Sequence, residues 1–232
     1  GVTALVRPLD VRVRVVWREM PLMLLLTLAL YPLAWDGVLS RGDGVLLLFA
    51  LVAYLIFVFY SVEDEAPEIL GEYEEFMKES DRTTSLVSGT DVLWVIAGSA
   101  CLVLGGICIV AGAVGIASSL GISEVVIGLT VVAVGTSLPE LATSLVAALR
   151  SEADIAVGNV IGSNIFNVAA ILGTASVVSP LAIPSHVLTR ELAVVVAMSL
   201  LLFPILRTRW RIRRWEGALL LACYVGAVTW LL

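Results

Sequence analysis

Gly135-Thr136-Ser137-Leu138-Pro139-Glu140 sits at the centre of an apolar run, 124–149, long enough to cross a bilayer. A carboxylate at the middle of a membrane helix costs about 2.5–3.5 kcal/mol to insert, so an acid there calls for a function. A second polar cluster follows in the next apolar run: Gly158-Asn159-Val160-Ile161-Gly162-Ser163-Asn164-Ile165-Phe166-Asn167. Lipid rewards neither cluster. Together they suggest a cation site built from oxygen atoms at mid-membrane depth.

The composition agrees with a membrane setting. The chain is 59% hydrophobic with a mean hydropathy of +1.02, against roughly 45–50% apolar for soluble domains. Near-spanning apolar runs occur at about 20–35, 44–60, 91–116, 124–149, 155–179, 188–206 and 215–232. The expected fold is therefore all-α, a polytopic helix bundle. Residues 61–90 form its one sizeable polar loop, acidic from Glu63 to Asp81. That loop lacks the ligand pattern and glycine of an EF-hand and reads as a solvated linker. Cys101, Cys108 and Cys223 lie in apolar spans without metal-ligand spacing. His186 reads as a solvated turn residue. No basic patch interleaved with aromatics points to nucleic acid.

The cations set an orientation. Arg7, Arg12, Arg14, Arg18, Lys78, Arg82, Arg150, Arg207, Arg209, Arg211, Arg213 and Arg214 fall on one side when the spans are counted. Only Arg41 and Arg190 fall on the other. The crowded side is expected to be cytoplasmic, which puts the C-terminus outside. Contacts of the 207–214 arginines with anionic lipid come second to that role.

The chain also matches itself. At a shift of 172 residues (173 − 1), Gly1 falls on Gly173, Pro8 on Pro180, Arg18 on Arg190, Glu19 on Glu191 and Pro32 on Pro204. The basic clusters exchange places between the copies. Arginines crowd 7–18 early but 207–214 late, while 36–43 and 181–190 carry one each. Two copies with swapped basic ends insert in opposite senses, an inverted-topology repeat of the kind found in many secondary transporters. The later copy has three spans ahead of the matched region and the early copy only the stub 1–9. About eighty residues carrying a partner of the Glu140 cluster are thus expected upstream. The expected organisation is residues 1–60 as the end of a first repeat, 61–90 as linker and 91–232 as a complete second repeat.

Helical spacing puts Thr136, Ser137, Glu140 and Ser144 on one face. Pro139 lacks a donor and should free carbonyls near Val134 and Gly135. Ser163 and Asn167, with Asn159 a turn earlier, give a second oxygen-bearing face. Such hard oxygen donors suit Ca²⁺ or Na⁺ rather than a transition metal. One carboxylate leaves a buried Ca²⁺ at net +1, so the site should need a second acid. Asn159 and Asn164 are equally explained by interhelical hydrogen bonds, and Thr143 and Ser144 by bonds within their own helix.

The two motifs and their spacing closely resemble the α-repeat of the calcium/cation antiporter superfamily, and most nearly its prokaryotic sodium/calcium exchangers. The resemblance implies ten helices in two inverted halves, of which about seven are present, with the α-repeat at 124–180. It implies Ca²⁺ export against inward Na⁺ by alternating access, without a cofactor, in a prokaryotic inner membrane. The partners are lipid, the two ions and the upstream helices. Glu140 resembles the central acidic ligand, Thr136, Ser137, Ser163 and Asn167 the polar ligands, and Ala133 a backbone-carbonyl ligand. Asn159, Asn164 and Ser144 stand in a second tier. Some relatives have aspartate where Asn167 stands, which leaves coupling-ion number and K⁺-dependent exchange open; H⁺-dependent exchange is a further alternative, lowered because the proton-coupled branch differs in the second motif. The resemblance also makes 91–116 a sliding helix, with Gly98, Gly105, Gly106, Gly112 and Gly115 on its surface. A cation channel is the remaining transport alternative. A histidine-rich intramembrane protease is excluded by the single histidine.

Overall fold

The computed structural model describes residues 1–11, 15–63, 89–207 and 210–231. The acidic loop with Lys78 and Arg82 therefore lies outside the described residues, as do Arg12, Arg14 and Arg209.

The short helix α1 (Val2–Val6) leads into strand β1 (Leu9–Asp10). A π-turn at Val15–Glu19 runs straight into α2 (Met20–Leu33). Strand β2 (Val38–Leu39) precedes the long α3 (Arg41–Glu63), and α4 (Gly89–Ser119) is longer still. The run expected as one span at 124–149 is broken. It comprises α5 (Glu124–Ile127), a π-turn (Gly128–Val132), α6 (Ala133–Thr136) and α7 (Leu138–Leu149), with a 47° bend between its halves. Next come α8 (Ala153–Phe166), a π-turn (Asn167–Leu172) and α9 (Gly173–Val178). Strand β3 (Leu181–Ala182), a π-turn (Val187–Glu191), α10 (Leu192–Arg207), β4 (Arg211–Ile212) and α11 (Arg214–Leu231) complete the chain.

Among the described residues, five helices are long and apolar enough to cross a membrane, or six with the bent pair counted as one span. The seventh expected span is the helix α11, whose first turn carries Arg214 and Glu216 and is correspondingly polar. The fold is an all-helical membrane bundle.

The core forms around α8. Val157, Ile161 and Ile165 recur every four residues, one stripe of a helix, and are buried with Met20, Met23 and Leu206 from α2 and α10. Ala147, Ala148 and Ala156 are small enough to seat α7 closely on α8. By contrast α4 buries only Gly106 and Ala117 and leaves Leu93, Trp94, Leu104 and Ile107 exposed.

The repeat read in the sequence is visible in the backbone. The π-turns Val15–Glu19 and Val187–Glu191 stand 172 positions apart (187 − 15), each opening a helix with a late proline, Pro32 or Pro204. Later in the repeat the offset grows to 173 (213 − 40). Asp43 accepts from the Ser40 backbone N–H at 2.8 Å, and Glu216 accepts from that of Arg213 at 2.6 Å. These are the same helix-start device in both copies. The strands pair crosswise: β1 runs antiparallel to β4, and β2 to β3. The helices cross likewise, α1 against α11 and α9 against α3. Exchange of partners between copies is what an axis in the membrane plane produces.

Each crossing is a glycine pair. A Cβ on Gly217 would lie 2.8 Å from the Gly1 carbonyl oxygen, and one on Gly44 would lie 2.6 Å from the Gly173 carbonyl oxygen. Backbones approach that closely only where side chains are missing. The crosswise pairing also gathers Arg7, Arg207, Arg211 and Arg214 at one end of the bundle. There Arg211 meets Asp10 at 3.4 Å, Arg207 stacks on Trp17 at 5.2 Å, and Arg7 caps the Leu149 carbonyl at 3.0 Å. Arg190 lies at the other end over Trp230.

Replacing Gly44 by Ala should therefore lower the detergent melting temperature of the protein, by overpacking worth about 1–3 kcal/mol. Gly98→Ala, where an added Cβ meets open space, should leave it unchanged. Thermal unfolding followed by fluorescence checks both.

Candidate cation site

Glu140 lies in the first turn of α7, immediately after the break. The break is local chemistry. Pro139 has no N–H, so the Gly135 carbonyl loses its usual helical donor. Ser137 adopts φ −93°, ψ 2°, and its N–H turns back to the Val134 carbonyl at 3.1 Å. Of the two carbonyls expected to be freed, Gly135 loses the Pro139 donor, yet the Ser137 N–H is directed at both Gly135 and Val134. A π-turn at Gly128–Val132 just ahead adds a second irregularity, and such turns gather at functional sites.

The polar groups of this segment converge on one backbone oxygen. Thr136 Oγ1 donates to the Ala133 carbonyl at 3.2 Å and Ser137 Oγ donates to it at 3.3 Å. Thr136 Oγ1 also reaches the Val132 carbonyl at 3.0 Å. Both hydroxyls keep lone pairs free to accept a cation. Glu140 Oε2 is buried and has no hydrogen-bond partner. A buried carboxylate oxygen left unpaired is costly, and native proteins keep one only with a reason.

Helix α8 packs directly on α7 and brings up the second motif. Asn159 Nδ2 donates to the Glu140 backbone carbonyl at 2.9 Å and to Ser144 Oγ at 2.9 Å. Ser144 is 2% exposed, so it faces α8 and not an open site. Ser163 Oγ donates to the Val160 carbonyl at 3.0 Å, and Asn164 Nδ2 to the same oxygen at 2.7 Å. Asn164 is thereby engaged within its own helix. Asn167 opens the π-turn that continues α8 and is exposed. Thr143 bonds back to the Pro139 carbonyl at 2.9 Å.

Ala133, Thr136, Ser137, Asn164 and Asn167 are all exposed. Among the described residues no three His, Cys, Asp or Glu side chains group as metal ligands. The cluster is a single carboxylate with hydroxyl, amide and carbonyl oxygens. That donor set fits a hard, weakly held cation and not zinc or copper.

Helix α4 touches the break. Gly106 approaches Pro139, where a Cβ would stand 3.5 Å from Pro139 Cγ, and Val110 covers Gly135 so closely that any side chain there collides. Of the five glycines expected on a sliding surface, Gly106 alone meets a neighbour; Gly98, Gly105, Gly112 and Gly115 face open space. A cleft of about 560 Å³ between α4, α7 and α8, lined by Leu102, Thr143, Arg150 and Glu152, reaches within a turn of Glu140 from the arginine-rich end.

Sequence reading missed the link between Asn159 and the Glu140 carbonyl. The pair is nineteen residues apart, a distance no helical periodicity reports. It also missed the unpaired Oε2, which only packing creates.

A bundle with inverted halves and an intramembrane acid at a helix break defines a class, the secondary cation transporters. Residues 90–232 match the family described as sodium/calcium exchanger protein. The chain belongs to that family, within the calcium/cation antiporter superfamily. It is 38% identical over 231 residues to CaxA of Alkalimonas amylolytica, which is named as a candidate antiporter, covering 97% of this chain and 71% of the relative. It is 36% identical over 204 residues to the inner membrane protein YrbG of Escherichia coli, covering 87% of this chain and 62% of that one. The solved sodium/calcium exchanger of Methanococcus jannaschii superposes with a TM-score of 0.73 at 32% identity, covering 99% of this chain and 69% of that structure. The first of these relatives is named for antiport and the solved structure for sodium/calcium exchange.

Gly135→Ala should weaken the protein by setting a methyl against Val110. The double variant with Val110→Ala should restore most of the loss. Melting temperatures of the two variants check this, at about 1–3 kcal/mol for the single change.

Proposed function

We propose that this chain forms part of a Ca²⁺ exporter driven by inward Na⁺, working by alternating access, with Glu140 as its central ligand. The observation that carries the reading is the buried, unpartnered Glu140 Oε2 at a helix break in a membrane span. A cation supplies the partner that oxygen lacks. Thr136, Ser137, Ser163 and Asn167 side-chain oxygens and the Ala133 carbonyl complete the ligand set. Ca²⁺ and Na⁺ are both hard ions of similar size, so one set of oxygens serves either in turn. Occupancy by one kind of ion at a time couples their movements without a cofactor.

Charge balance calls for more than Glu140, since one carboxylate leaves Ca²⁺ at net +1 in a low dielectric. We place the second acid on an inverted counterpart of the Glu140 helix, with residues 1–60 ending the first repeat, 61–90 linking and 91–232 forming the second. Helix α4 is the element that moves past the site. The arginine-rich end faces the cytoplasm of a prokaryotic cell, and the end of α11 lies outside. The neighbours in this setting are lipid and the two ions.

In the complete gene product, Glu140→Gln should insert and fold yet lose Na⁺-driven ⁴⁵Ca²⁺ uptake by at least about a hundredfold. Normal uptake would overturn the role. Replacing the Na⁺ gradient by a K⁺ or a proton gradient tests the counter-ion, and only Na⁺ should drive uptake. Current without any counter-ion would instead mark a channel.

A further inference from the structure

We propose that Asn159 is a positioning residue for this site, clamping the Glu140 turn of α7 to α8 and thereby fixing where the carboxylate points. This rests on the cation-site reading above.

The geometry is specific. The Asn159 amide has two N–H groups, and both go to α7: one to the Glu140 carbonyl at 2.9 Å and one to Ser144 Oγ at 2.9 Å. The two acceptors are one helical turn apart, so the amide spans the very turn that carries the acid. One bond would let α7 rotate about it. Two bonds to successive turns fix both its rotation and its height against α8. The turn needs such a hold, because Pro139 lacks the N–H that would otherwise tie it to the Gly135 carbonyl of α6.

The clamp also links the two motifs. Asn159 and Ser163 share a face of α8, four positions apart. Fixing Asn159 to the Glu140 turn therefore fixes the acid relative to the Ser163 hydroxyl. Ser144, 2% exposed, faces the clamp and so acts through Asn159 instead of through the ion. Supporting contacts of this kind hold a metal ligand's orientation, and their loss costs about 10–100-fold in affinity.

The test compares Asn159→Leu, similar in volume and without a donor, with Ser144→Ala, which removes one of the two bonds. The complete gene product is reconstituted in proteoliposomes, and Ca²⁺-dependent exchange is normalised to folded protein. The expected result for Asn159→Leu is an apparent KM for Ca²⁺ raised about 10-fold or more at nearly unchanged maximal rate. Ser144→Ala should show a smaller rise in the same direction. A residue that only stabilised the fold would lower the amount of folded exchanger and leave KM alone, and that outcome overturns the proposal. If Asn159→Leu fails to fold, an unchanged KM in Ser144→Ala overturns it instead. Glu140→Gln serves as the reference. Ca²⁺ affinity retained in that variant would sink the underlying site. Affinity lost there but unchanged in both clamp variants sinks only the clamp.

Discussion

Hydrocarbon offers no water, so every polar group inside the bilayer must find its partner in the protein or in cargo. Most of this chain obeys by forming helices, whose backbones satisfy themselves. The segment 128–140 does not. It gives up regular hydrogen bonding at a π-turn and again at Ser137, and it carries an acid just beyond. Such a segment persists only because neighbours hold it. Val110 and Gly106 of α4 cover one side of the break, and Asn159 of α8 holds the other. The irregular backbone and the elements packed around it therefore form one unit. Regularising the helix would close off the oxygens that a cation needs.

Much of this was readable beforehand. The apolar runs located the helices to within a few residues, because length and hydropathy leave few alternatives in a bilayer. The repeat was readable because prolines and an Arg-Glu pair are scarce in membrane sequence and mark register sharply. The register change from 172 to 173 was not. It falls in the turn between α2 and β2, and only the matching starts at Ser40 and Arg213 disclose it. Pro139 announced a break. The sequence did not say that Val134 would be reclaimed by the Ser137 N–H. That choice depends on the bend angle, which neighbouring helices set.

Site residues divide in the same manner. Glu140 was read from its charge inside an apolar run, and Thr136 and Ser137 from their helical spacing to it, although a 47° bend at Ser137 now separates the two segments. Asn159, Asn164 and Ser144 looked alike in sequence, yet they do different things. Asn164 bonds within its own helix, while Asn159 reaches across to Ser144 and Glu140. Which amide crosses depends on the closeness of α7 and α8, and that follows from the buried alanines between them. Polar residues in a membrane helix thus acquire their roles from the small residues beside them.

The crosswise pairing has a consequence for how the protein is made. Helix α1 and strand β1 pack against α11 and β4, which follow far along the chain. Helix α1 also lies against α7, and Arg7 holds the Leu149 carbonyl. Its close glycine contact with α11 can form only after everything between the two has been made, and a product cut short near residue 210 would lack it. Final closure of the bundle is a late event, set by topology and not by the strength of any single contact.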